Sequence, residues 1–258
     1  MKKQKKLIVA NWKMNPQTVR EAKKLSAAIR AASSGLSSVK TVICPPAVFL
    51  GELKKDVRGD RVVLGAQDVF YEGEGAHTGE ISPCMLVGTG ARYVILGHSE
   101  RRARGEGDEV IARKVRAAIG AGLNVILCVG EQIRDEEGAY LAVVKRQLDA
   151  VFNAMSPEER AKVTIAYEPV WAVGEGATRA DTPEDIFEMT IYIRKVLAET
   201  GEREAALRVQ VLYGGSVDAH NAAAFLAAGG VSGLLVGRAS VDAKQFKKIL
   251  EAADDAHN

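Results

Sequence analysis

The stretch DEVIARKVRAAIGAGLNVILCV, residues 108–129, holds two patterns side by side. Over 108–119 the apolar residues Val110, Ile111, Val115, Ala118 and Ile119 share one face at helical spacing. Over 124–129 the apolar residues run without alternation. Such a run reads as a strand covered on both faces, as in a parallel sheet. Helix then buried strand is one half of a βαβ repeat.

Working outward, further runs of this kind lie at 7–11, 39–44, 62–66, 93–96, 164–167, 209–213 and 233–236. Between them sit helical patterns. Residues 18–31 carry Val19, Ala22, Leu25, Ala28 and Ile29 on one face, and Thr182-Pro183-Glu184 reads as a cap opening a helix towards Leu197. Eight strand–helix units in 258 residues, with no linker or low-complexity tract, predict an α/β fold. The expected architecture is a (β/α)8 TIM barrel, one domain over residues 1–258. Periodicity alone leaves an open doubly wound sheet as an alternative.

Composition narrows the function classes. The chain is 47% hydrophobic and 26% charged, with 35 Lys and Arg against 33 Asp and Glu, a net charge of +2. That balance gives no field for nucleic acid or an anionic membrane. The one basic cluster, Lys2, Lys3, Lys5 and Lys6, reads as a solvated fringe. No apolar stretch approaches the roughly 20 residues of a membrane span. Cys44, Cys84 and Cys128 are odd in number and far apart, with no C-x-x-C pair. This argues against a disulfide framework or a structural metal and predicts the reducing cytoplasm.

In a barrel, chemistry sits at the carboxyl ends of the strands. The first candidate strand ends in Asn11-Trp12-Lys13-Met14-Asn15, the fourth in Gly97-His98-Ser99-Glu100-Arg101-Arg102 and the sixth in Tyr167-Glu168-Pro169-Val170-Trp171. The seventh and eighth end in the glycine turns Tyr213-Gly214-Gly215-Ser216 and Val236-Gly237-Arg238-Ala239-Ser240. Taken singly, each has an ordinary explanation: a solvated lysine, a structural histidine, a glutamate held extended before proline. Taken together they bring a cation, an imidazole, a carboxylate and two glycine turns to one rim. Glycine turns after the last two strands are where barrels bind phosphate through backbone N–H groups.

At these residues the chain resembles the triosephosphate isomerases. The matching segments are 10–15, 65–67, 78–82, 97–102, 127–131, 166–171, 213–217 and 235–237, in the family's order. The resemblance implies a glycolytic and gluconeogenic enzyme that interconverts dihydroxyacetone phosphate and D-glyceraldehyde 3-phosphate without cofactor or metal. It implies Glu168 as base, His98 as the neutral imidazole that polarises the carbonyl, and Lys13 and Asn11 as further catalytic groups. Asn11, Lys13, Gly174, Ser216, Gly237 and Arg238 would hold the phosphorylated sugar. It also implies a lid after Trp171 and a homodimer through the loop around Thr78.

Four departures from the family pattern stand out, the first being that the chain reaches Gly105-Glu106 one residue early after Arg101-Arg102. The lid reads Gly174-Glu175-Gly176-Ala177-Thr178-Arg179, with Pro183 about two positions late. Asp68 stands where asparagine is usual, a change with consequences for dimer contacts. Arg238 replaces a common glycine. The altered lid motivates a second reading, an isomerase of a longer ketose phosphate such as a tetrulose phosphate. A non-catalytic phosphosugar binder conflicts with Lys13, His98 and Glu168 standing together. A Schiff-base aldolase would need lysine where strand six has Glu168.

Overall fold

Eight parallel strands close on themselves in chain order. The structure, a computed structural model, describes residues 4–172, 181–201, 203–228 and 230–256. The strands are β1 Lys6–Asn11, β2 Val39–Cys44, β3 Val62–Ala66, β4 Ala91–Leu96, β5 Asn124–Val129, β6 Val163–Tyr167, β7 Val211–Tyr213 and β8 Gly233–Val236. β8 pairs back onto β1, with Leu7 opposite Gly233 and Ala10 opposite Val236, so the sheet has no edge and the open alternative is excluded.

Period two explains the continuous apolar runs. Leu7, Val9, Val42, Cys44, Ile126, Cys128 and Leu235 belong to one buried cluster, the filling of the barrel. Their strand neighbours Ile8, Ala10, Ile43, Val125, Leu127 and Val236 belong to another, packed beneath the helices. Both faces are buried, so both are predominantly apolar, and buried Thr41 on β2 meets the Ser33 hydroxyl at 3.2 Å.

Local chemistry sets the helices. Thr18 caps the helix Val19–Ser33 by accepting from the Glu21 N–H at 3.2 Å. That helix buries Ala22, Ser26, Ile29 and Ser33, while Val19, expected inward, is exposed in the first turn. Thr182 and Asp185 form a reciprocal capping box at the start of Pro183–Glu199, with Pro183 in the first turn. The helix Asp108–Gly120 buries Ile111, Val115, Ala118 and Ile119 and, in addition, Lys114. β7 is shorter than expected: Val209 N–H bonds to Ala206 O and so closes the preceding helix Arg203–Arg208 rather than opening the strand. Among the described residues no helix is long and apolar enough to cross a membrane.

Candidate active site

The residues singled out at the strand ends lie on one rim. Asn11 is the last residue of β1 and is buried. Its Oδ1 accepts from the Lys13 N–H at 3.1 Å. Lys13 has φ of 51°, the left-handed region that side chains disfavour. Gln67, just past β3, holds it there: its Nε2 donates to Lys13 O at 2.8 Å and to Cys44 O at 2.9 Å. The strained backbone aims the ammonium across the rim, 2.5 Å from Glu100 Oε1. Although burial opposes it, the hydrogen bond from Lys13 holds the Glu100 carboxyl below its ordinary pKa.

His98 caps the single turn Ser99–Arg102. Its Nδ1 accepts from the Glu100 N–H at 3.2 Å. A ring nitrogen that accepts carries no proton, so the neutral ring has its N–H on Nε2. Nε2 lies 3.3 Å from Glu168 Oε1. The other carboxylate oxygen, Oε2, accepts from the Ser99 N–H at 2.8 Å. Glu168 is 3% exposed, a carboxylate held by directed donors rather than by water. Burial, and then the nearby Glu168 charge, push the Cys128 thiol well above its usual pKa, so Cys128 stays a neutral wall.

The end of β5 supports β6. Gly130 packs so closely that a Cβ there would lie 1.8 Å from Glu168 O. Gln147 clasps Gly130 from the helix Ala139–Phe152, accepting from its N–H at 2.8 Å and donating to its O at 3.0 Å. Next to it, Glu131 is 1% exposed. Its Oε1 accepts from Tyr167 Oη and Trp171 Nε1, both at 2.7 Å. Burial raises the Glu131 carboxyl above its ordinary pKa, and these hydrogen bonds limit the rise.

The glycine turns close the rim. A Cβ on Gly214 would come within 3.1 Å of Glu168 Cγ, and one on Gly237 within 3.3 Å of Lys13 Cε. Gly237 caps the turn Arg238–Val241, whose first N–H groups have no acceptor within the turn. The Ser216 N–H is directed at the Tyr213 hydroxyl, which in turn donates to Asp181. Arg238 is exposed. Gly174 lies outside the described residues, as does the rest of the expected lid up to Ala180.

Beside the rim runs a groove of about 520 Å³. Lys13, His98 and Glu100 form one wall, and Gln67 to Phe70 with Gly79 to Ile81 form the other. Asp68 is tied within its own chain, to Lys114 Nζ at 2.9 Å and to Arg101 Nη2 at 2.9 Å. Glu106 joins the same two cations.

Asn11, Lys13, His98, Glu168 and Gly237 thus converge as the sequence predicts. Gln67, Glu100 and Glu131 are added by the structure. Each stands in or beside a strand-end motif, but its partners lie far away in sequence: backbone oxygens for Gln67, side chains for Glu100 and Glu131. A carboxylate, an imidazole with Nε2 turned towards it and an ammonium around one opening suit proton transfer next to a carbonyl: base, hydrogen-bond donor and counter-charge.

Comparison with known proteins agrees. A family model described as "Triosephosphate isomerase" matches residues 6–253. A protein of that name from Symbiobacterium thermophilum is 46% identical over 252 residues, covering 97% of each chain. One from Carboxydothermus hydrogenoformans is 42% identical over 251 residues, 96% of this chain and 99% of the relative. One from Endomicrobium trichonymphae is 40% identical over 249 residues, 96% and 98%. With a full-length match and this rim geometry, the chain belongs to the triosephosphate isomerase family.

Proposed function

We propose that the chain interconverts dihydroxyacetone phosphate and D-glyceraldehyde 3-phosphate, the reaction its family is named for, and needs no cofactor. The observation that carries the reading is the 3.3 Å approach of His98 Nε2 to Glu168 Oε1, with the Lys13 side chain against Gly237. Glu168 removes the proton from C1 of the ketone. The C–H electron pair forms the C1–C2 double bond and the carbonyl pair moves onto O2. His98 Nε2–H donates to that oxygen, and the Lys13 ammonium offsets its charge. Return of the proton to C2, with transfer of the O1 proton to O2, gives the aldehyde; atoms and electrons balance with no oxidant. The phosphate would rest on the N–H groups of Gly237 and Arg238, with Ser216, Gly174 and Asn11 as further contacts.

We further infer a homodimer in the cytoplasm. Met14, Val48, Met85 and Val87 are large apolar side chains exposed by 84, 77, 60 and 42%. Isolated exposed apolar residues are ordinary, but Met14 borders the groove beside Lys13. The loop around Thr78 is stiffened by Phe70, which stacks on Tyr71 at 4.2 Å and meets the His77 ring at a tilt at 4.7 Å. A stiff loop and an adjacent groove suit mutual insertion by two copies. Three free cysteines fit a reducing compartment.

A coupled assay on the purified chain is expected to show rapid turnover of glyceraldehyde 3-phosphate. Glu168→Gln should lower kcat by about a hundred- to ten-thousand-fold while a phosphate-bearing substrate analogue still binds. Unchanged turnover in the variant would remove Glu168 from the mechanism. A higher kcat/KM on a tetrulose phosphate would replace the triose with the longer sugar.

A further inference from the structure

On the opposite face of the barrel, where β6 and β7 begin, lies a cavity of about 600 Å³. It opens between the ends of the helices Ala139–Phe152 and Pro183–Glu199 and the short helices Pro157–Arg160 and Arg203–Arg208. This is the face of a barrel where residues normally serve packing alone. Close-packed interiors leave few voids larger than a water molecule, whereas a cavity of this size falls within the range of small-molecule sites.

Its walls and its mouth differ in chemistry. Phe152, Met155, Val163, Leu197 and Ala206 form buried apolar walls. Arg160 and Arg208 supply the charge, and none of the described residues lining it is acidic. Arg160 directs its guanidinium to uncharged oxygens: Met155 O at 3.2 Å, Phe152 O at 2.6 Å, Thr200 O at 2.7 Å and Thr200 Oγ1 at 3.3 Å. No carboxylate among the described residues pairs with it. Arg208 pairs with Glu204 at 3.3 Å, one turn away on the same helix, both side chains largely exposed. An exposed pair of that kind contributes little and exchanges readily for another anion. The cavity therefore joins a set of apolar walls to a positive mouth.

We propose that this cavity binds a small monocarboxylate with a compact apolar body, such as an arylalkanoate. The ring packs against Phe152, Met155 and Leu197, and the carboxylate meets Arg208 and the positive end of Arg160. A phosphorylated triose, polar along its whole length, would leave these walls unmatched, so the site is separate in place and chemistry from the catalytic rim.

Isothermal titration of the full chain with 4-phenylbutanoate, and with neutral 4-phenylbutan-1-ol, tests this. Ala205 is half-buried in the cavity wall, so Ala205→Trp fills the space. Arg208→Gln removes the exposed cation without touching the core. The wild type should bind the acid at one saturable site and Ala205→Trp should bind neither compound. Arg208→Gln should weaken the acid about tenfold, the worth of one charged hydrogen bond, and leave the alcohol unchanged. Both variants should keep the wild-type melting temperature and isomerase kcat/KM without ligand, so failure here is separable from failure of the catalytic reading. No saturable binding by the wild type would overturn the proposal. So would wild-type affinity for the acid in either variant, the Arg208→Gln result standing by itself if the tryptophan prevents folding.

Discussion

Gly130 has no side chain, and the position of the Glu168 carboxylate depends on that. Glu168 stays at the rim because β6 ends hard against β5, with the Glu168 N–H bonded to Val129 O at 2.8 Å and a hypothetical Gly130 Cβ only 1.8 Å from Glu168 O. Gln147 holds Gly130 by both its N–H and its O, so the glycine cannot retreat. Any Cβ must push the two strand ends apart and carry Glu168 with them. Gly130→Ala should therefore cost about 1–3 kcal/mol of stability. Misplacing a base by about an ångström should also lower kcat on the order of a hundredfold. Thermal unfolding and steady-state kinetics on the same preparation check both; a variant with wild-type kcat would show that Glu168 tolerates movement of its backbone. Lys13 is the complementary case, a side chain kept where glycine would be easier. Its left-handed backbone, worth roughly 1–3 kcal/mol of strain, is held by Asn11 and Gln67, and it directs the ammonium across the rim to Glu100.

At the scale of elements, the turn Val170–Ala172 leaves β6 under the control of Glu131, which fixes Tyr167, Trp171 and, through its O at 3.0 Å, the Val170 N–H. Burial raises the Glu131 carboxyl above its ordinary value of 4.5. A group that protonates more easily folded than unfolded contributes stability that is full below the unfolded value and is lost as the pH rises through the folded one. Glu131→Gln keeps an acceptor oxygen for both donors and cannot ionise. The melting temperature of the wild type minus that of the variant should therefore fall as the pH climbs from about 4.5. A difference that stays flat would mean that folding leaves the ionisation of Glu131 unchanged. Glu131 also shows what the sequence leaves unread. β2, β3, β5 and β8 were legible to the residue, because each run stops at a residue that breaks it: Pro45, Gln67, Gly130 and Gly237. Asn11, Lys13, His98 and Glu168 stand at the carboxyl ends of β1, β4 and β6, whose last residues were legible although their first were not. Glu131, Gln67 and Glu100 act on partners 40, 54 and 87 residues away, and no local pattern records such a pairing. Val209 was misread because an apolar residue closing a short helix looks like one opening a strand.

At the scale of the whole molecule, closure of the barrel leaves no free sheet edge, so association has to use loops and side-chain surfaces. The loops that carry Met14, Pro46 to Val48 and Phe70 to Ile81 supply both the groove beside the rim and exposed apolar side chains. Asp68, Lys114, Arg101 and Glu106 brace the base of the last of these loops against the helix Asp108–Gly120 and the turn carrying His98. Arg113 covers the Tyr71 ring at 3.6 Å further along it. A loop braced from within its own chain loses little freedom on meeting a partner, which favours tight pairing. Met85, 60% exposed on the helix Pro83–Gly88 that follows the loop, tests the pairing without touching Lys13, His98 or Glu168. Burying such a side chain is worth about 1.5–3 kcal/mol, and a buried unpaired carboxylate costs several kcal/mol more. Met85→Glu should therefore weaken self-association by at least about a hundredfold. Sedimentation equilibrium is expected to show a two-chain species for the wild type and a single chain for the variant at the same concentration. A wild type that sediments as one chain, or a variant as firmly paired as the wild type, would mean that this face is solvent-exposed in the working enzyme.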